Sequence, residues 1–168
     1  MRTNLPVTQA ETALAPTDYL ISRTDLKGRI VFANPAFVRV SGYSHEELMG
    51  APHNLVRHPD MPEAAFADLW ATLQAGKPWR GFVKNRRKDG SYYWVMASVS
   101  PTWENGAITG FCSIRSKLPA DLRAEAETAY AQFRNKKGND FVVADGIIRR
   151  RSVFDRLSLF TRTMKARL

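Results

Sequence analysis

In "YLISRTDLKGRIVFAN" the apolar positions come as two short runs parted by Asp25-Leu26-Lys27-Gly28, a pattern that predicts a β-hairpin. From Asn34 the period lengthens. "NPAFVRVSGY" places Asn34 ahead of Pro35, as a helix N-cap stands ahead of a first-turn proline, and Gly42 stops the helix. "SHEELMG" opens on Ser44 with Glu47 three residues on, a capping box for a helix of one to two turns. Beyond the proline-rich "APHNLVRHPDMP", Phe66, Leu69, Trp70 and Leu73 fall at i, i+3, i+4 and i+7. They form one apolar helix face, ended by Gly76.

From residue 79 the period drops to two. The chain down to Lys117 reads as three antiparallel strands, with turns at Lys88-Asp89-Gly90 and Glu104-Asn105-Gly106. Two strands, a run of short helices, one longer helix and three strands predict an α+β domain, a five-stranded antiparallel sheet with helices on one face. Each helix has a single apolar side to bury, so the ligand pocket is expected between helices and sheet. Residues 1–17, polar and without periodicity, are expected to form a flexible arm, and the domain spans 18–118. The region 119–168 is an extension: an Ala/Glu-rich helix over 119–136, then a basic segment in which Val153, Leu157, Phe160, Met164 and Leu168 make a second apolar stripe.

Composition sharpens this. At 168 residues and 44% hydrophobic content the chain supports one core plus an extension. The formal charge of +9 first suggests nucleic acid, but the excess sits in the tail. Residues 1–118 carry 14 basic against 10 acidic side chains, whereas 147–168 alone carry 7 against Asp155. A nucleic-acid role for the domain is therefore disfavoured. Three readings of the tail remain: an anionic membrane surface, the approach to a membrane span, or a helix packed on a partner. The single cysteine, Cys112, excludes an internal disulfide and points to a reducing compartment. No signal-peptide pattern and no run of eighteen apolar residues is present, so a cytoplasmic protein is expected, associated at most with the inner face of the membrane.

Candidate chemistry concentrates in "LMGAPHNLVRHPDMP". His53 and His58 stand five apart across a proline-rich turn, which does not suit the i, i+4 pairing of helical zinc ligands, and no third soft ligand is near. No serine or cysteine nucleophile is set beside an orienting acid, so no enzyme is read here. Asp60 suits an N-cap with Glu63 as box partner; alternatively Arg57, His58 and Asp60 form an anion cradle at a helix N-terminus. Asn85 shares a strand face with Val83, so its amide points inward and needs partners. Trp70 and Trp79 are core residues or flat walls for a planar ring.

The order of elements, with "RIVFANPAFVRVSGYSHEELMG" and "VKNRRKDGSYYWV", resembles a PAS sensor domain over 18–117. "GAPHNLVRHPDMPEAAFADLW" and the following "GKPWRGFVKNRRKDG" closely resemble the N-terminal PAS domain of bacterial aerotaxis receptors, FAD-binding redox sensors related to photosensory LOV domains. The resemblance implies a PAS fold that holds FAD non-covalently and reports redox state or oxygen for aerotaxis. It also implies a homodimer that signals to a chemoreceptor module, HAMP-like or kinase-controlling. On this reading Arg57, His58 and Asp60 cradle the pyrophosphate or ribityl chain, and Asn85 reads the flavin edge. Asn34, Trp70 and Trp79 complete the cofactor contacts. Two departures matter. The segment that carries the reactive cysteine in LOV domains is "APHNLVRHP" here, without one, and Arg115 stands where the LOV pattern has glutamine. The alternative is a PAS module without cofactor, used for dimerisation or partner docking.

Overall fold

Five antiparallel strands carry the fold, in the order β2 (Ile30–Ala33), β1 (Leu20–Asp25), β5 (Ala107–Lys117), β4 (Tyr92–Glu104) and β3 (Trp79–Arg86). The computed structural model describes residues 4–134 together with 141–144 and 147–150. The expected apolar stripe beyond 152 lies outside the described residues. The predicted hairpin is β1 and β2; the later meander is β3, β4 and β5. β1 and β5 meet in the middle of the sheet, from Leu20 opposite Arg115 to Asp25 opposite Gly110.

Between β2 and β3 the chain lays α1 (Pro35–Ser41), α2 (His45–Leu48), a 3₁₀ turn (His53–Val56) and α3 (Glu63–Gln74) over one face of the sheet. Local chemistry sets these starts. Asn34 Oδ1 accepts from the Phe37 and Ile21 N–H groups at 2.9 and 3.0 Å, and its Nδ2 donates to the Tyr19 carbonyl. One side chain thus caps α1 and fastens it to β1. Ser44 and Glu47 form the predicted capping box. Asp60 does not cap α3, which begins at Glu63 with Pro62 in the cap position. Its carboxylate reaches Lys84 Nζ at 2.7 Å instead, because β3 passes beneath the loop.

The alternating inward residues Leu20, Val83, Val95, Ala97, Val99 and Phe111 bury against Phe37, Leu48, Val56, Ala65 and Leu73 from the helical layer. The opposite face of the sheet receives α4 (Ala120–Arg134) over β3 and β4. There Trp94 stacks on Tyr130 with ring centroids 6.0 Å apart, and the Tyr130 hydroxyl donates to the Phe82 carbonyl. After the helix, β6 (Phe141–Ala144) pairs antiparallel with β7 (Ile147–Arg150), a hairpin that the sequence reading of the extension did not include.

The segment expected to be a flexible arm is laid down on the domain. β5 pairs with β4 only as far as Val95, which leaves Tyr92 unpaired on that side. Residues 10–12 take the place: Tyr92 N–H donates to Ala10, and Thr12 N–H to Tyr92. Leu14 is buried, and Glu11 pairs with Arg123 of α4 at 2.5 Å.

At Gly110 an added Cβ would stand 2.2 Å from the Thr24 carbonyl oxygen of β1. A backbone atom inside a central ladder cannot move aside. Gly110→Ala should therefore destabilise the domain by about 1–3 kcal/mol, seen in thermal unfolding as a Tm several degrees lower.

Candidate functional site

The apolar stripe of α3 does not close on the sheet. Phe66, Leu69, Trp70 and Leu73 form one wall of a cavity of about 190 Å³, with Val83, Asn85, Ala97 and Val99 of the sheet as its floor. Native interiors keep few voids larger than a water molecule, so a hollow of this size is large enough to admit a small ligand. The 3₁₀ turn and Arg57 form a second wall. Arg57 is held against β3 by an isolated antiparallel bridge to Asn85. Of the lining residues Lys27, Asn54 and Trp70 are exposed, which places the mouth among them.

Polar groups gather at the inner end. Arg115 on β5 is 2% exposed, and among the described residues no carboxylate pairs with it. Its Nη2 donates to Ser22 Oγ at 2.5 Å and its Nη1 lies 3.3 Å from His53 Nε2, while the guanidinium rests 4.2 Å over the Phe37 ring. Ser22 Oγ is 3.0 Å from the same His53 nitrogen. Arginine can only donate, and a serine hydroxyl that accepts from it keeps its own hydrogen for the imidazole. His53 Nε2 is therefore the acceptor and Nδ1 carries the proton. Burial, with the positive Arg115 beside it, lowers the His53 pKa from 6.5 to about 3, so the ring is neutral at physiological pH. Burial also brings Arg115 down to about 10, which leaves it charged.

Several polar atoms at this site lack partners. Asn85 Nδ2, Arg57 Nε and Arg115 Nε are buried with no hydrogen bond. The Arg57 guanidinium lies 3.3 Å over the Phe66 ring, a cation–π contact that aligns it along the cavity wall. Across the ladder from Asn85, the buried Tyr93 hydroxyl has its pKa pushed up to about 12 by burial, with Arg115 and Asn85 acting in the opposite sense. The site is thus an apolar slot lined also by an amide, Asn85, and a guanidinium, Arg115. Such a set fits a flat heteroaromatic ring whose edge accepts and donates hydrogen bonds and carries partial negative charge.

The residues singled out in the sequence separate into two groups. Arg57, Trp70 and Asn85 line the cavity. Asn34 works as the cap described above. Trp79 is a core side chain whose Nε1 donates to Asp68 at 2.7 Å. His58 is buried at 3% exposure behind the loop, edge-on to Tyr92, and its Nδ1 accepts from the Asp60 N–H. Asp60, tied to Lys84, opens onto a different groove beside α4. Ser22, His53 and Arg115 were not read as a cluster. For Ser22 and Arg115 a signal was available: each lies two residues from an inward position, Leu20 and Ser113 respectively. His53 had none, because the register of an irregular loop is set by its tertiary contacts. Among the described residues no three His, Cys, Asp or Glu side chains converge as a metal site, and no helix is long and apolar enough to cross a membrane.

A family model described as the PAS fold matches residues 30–115. The aerotaxis receptor of Escherichia coli K12 is 53% identical over 124 residues, 74% of this chain and 24% of the receptor. The nitrogen fixation regulatory protein of Klebsiella oxytoca is 38% identical over 81 residues, 48% of this chain and 16% of that protein. The chain therefore spans a quarter or less of these relatives. Among solved structures, a PAS domain from Colwellia psychrerythraea superposes with a TM-score of 0.56 at 26% identity, over 61% of this chain and 87% of that one. A light-oxygen-voltage domain studied through a flavin analogue gives 0.57 at 22% identity, covering 68% and 87%; at that identity it shows the fold alone.

The depressed His53 pKa has a consequence for stability. The unfolded chain takes up a proton on this ring below pH 6.5 and the folded chain does not, so stability is complete above about 6.5 and falls as the pH drops toward 3. Thermal unfolding from pH 7 to 4 should show His53→Gln losing less Tm than the parent over this range. The difference in slope should be at most about 1.4 kcal/mol per pH unit, less where solvent reaches the cavity.

Proposed function

We propose that this chain, which belongs to the PAS fold family, is a redox-sensing domain that holds a flavin, in its dinucleotide form FAD, in the cavity between sheet and helices. One observation carries the reading: the hollow under α3 is walled by apolar side chains yet is also lined by Asn85, whose Nδ2 has no hydrogen bond, and by buried Arg115, with no carboxylate partner among the described residues. A flavin, when bound, supplies reversible electron uptake, with charge and protonation changing along one edge of its ring.

The residues divide the work of binding. Asn85 offers a donor and an acceptor to the ring edge; Trp70 and Phe66 cover its face. Arg115, held in place by Ser22 and Phe37, sets a positive potential at the inner end, which favours a ligand that gains negative charge. His53, neutral and with its proton on Nδ1, presents no competing charge. Lys27 and Arg57, beside the mouth, suit the phosphates of a dinucleotide. His58 and Asp60 then act through the shape of the loop that carries Arg57, not by touching the ring, and Asn34 and Trp79 maintain the frame around it.

A sensor also needs an output. The loop that forms the cavity wall is tied to the outer face of the sheet through Asp60 and Lys84, and α4 packs on that face. Altered contacts at Asn85 and Arg57 would pass along this route to α4 and on to a signalling module, in the manner of a domain whose relatives include an aerotaxis receptor. A redox change can shift that equilibrium only by its differential contacts in the two states.

The purified protein should be yellow, lose its visible bands on dithionite and release FAD when denatured. Colourless protein that gains no flavin from solution would sink the reading and leave the docking module. Arg57→Ala should weaken flavin binding roughly 10–100-fold, as expected for one charge-assisted contact. Asn85→Ser should keep part of the flavin and shift its midpoint potential, measured by spectroelectrochemical titration.

A further inference from the structure

We propose that the rim of the cavity mouth is a docking surface for an anionic lipid bilayer. Three of the large apolar side chains left in solvent sit together there: Leu26 at 58% exposure, Trp103 at 54% and Trp70 at 37%. Leu26 and Trp70 line a surface groove with Lys27, Gln74, Ile108 and Phe111. Trp103 faces Ile108 across the β4–β5 ladder, and its ring lies against the chain at Gly76, where a Cβ would come within 3.1 Å of it. The patch therefore runs without a break from the β1–β2 turn, over the end of α3, to the β4–β5 turn. It shares Lys27, Trp70 and Phe111 with the cavity itself, so it borders the opening.

The composition selects the occupant. Two exposed tryptophans and a leucine among lysines form the interfacial pattern, in which the amphipathic indole sits at headgroup depth. The charges around the patch are exposed Lys27, Arg29 and Lys77 against half-buried Asp25 and exposed Glu104. The Asp25 carboxylate is already engaged by the Lys27 and Arg29 N–H groups. A net positive rim suits a negative surface. It does not suit the protein's own 147–168 segment, which is itself strongly basic. That segment and the rim ask for the same partner, and stable association with a bilayer generally takes two such signals.

Docked in this way, the cavity mouth faces the lipid, and an apolar electron carrier dissolved there meets the opening without crossing water. This consequence rests on the flavin reading; the surface itself does not.

The test uses the full chain with sedimented vesicles, phosphatidylglycerol mixed with phosphatidylethanolamine in one set and phosphatidylcholine alone in the other. The parent should bind the anionic set with a blue shift in tryptophan emission and leave the neutral set largely unbound. Leu26→Glu and Trp103→Glu should each lower the partition coefficient about tenfold with the basic tail intact. Leu26→Glu, on an exposed turn outside the cavity, should retain the parent's Tm and any flavin content. Failure of the parent to bind anionic vesicles overturns the proposal. So does unchanged partition of both folded variants, which would assign binding to the tail alone. Colour plays no part in either readout, so the surface can fail while the flavin reading stands, and the reverse.

Discussion

A positive charge inside the domain with no carboxylate to answer it among the described residues is the constraint on which the site turns. Arg115 sits in the central strand pair, where water is excluded, and burying an isolated cation costs several kcal/mol unless other interactions offset it. The structure offsets part of that cost with Ser22, with the face of Phe37 and with neutral His53. Those groups satisfy hydrogen-bond directions and spread the charge, but none neutralises it. The depressed His53 pKa belongs to the same economy: with Arg115 beside it, a second cation would be costlier still. What remains is a positive charge beside an apolar cavity, which is the feature the proposed flavin, with its partly negative edge, would answer.

The same loop serves the inside and the outside of the domain. On the inside, Arg57 is bridged to Asn85 and stacked on Phe66. On the outside, Asp60 holds Lys84 and His58 lies against Tyr92. Asn4 adds a third attachment, its Nδ2 donating to the Asn54 and Arg57 carbonyls at 2.8 and 2.9 Å. A change at the cavity wall is therefore opposed, or transmitted, by contacts that reach the N-terminal segment and β3. Through Glu11 and Arg123 the N-terminal segment touches α4 as well. The coupling is mechanical continuity between elements: His58 and Asp60, placed away from the cavity, connect to it through the backbone of Arg57.

The sequence by itself determined the elements and their faces. Periods of two and of three to four, the Asn34 and Ser44 caps and the turn residues are local signals, and each appears where its chemistry placed it. Alternation with Val83 also put Asn85 on the inner face, because register within a strand is a property of the strand alone. Resemblance to PAS sensors added the family, and the matched span agrees. Tertiary structure alone decided the rest. Whether the α3 stripe packs shut or roofs a cavity depends on how far the helix stands off the sheet. That Arg115, Ser22 and His53 meet depends on three elements far apart in the chain. Asp60 turned from helix cap to ion-pair partner because Lys84 lies within reach, and residues 4–17 could not announce their path because their partners, from the Gly90 and Tyr92 backbone to Arg123, lie far along the chain. Local pattern encodes which way a side chain points; only the assembled chain sets what it meets there.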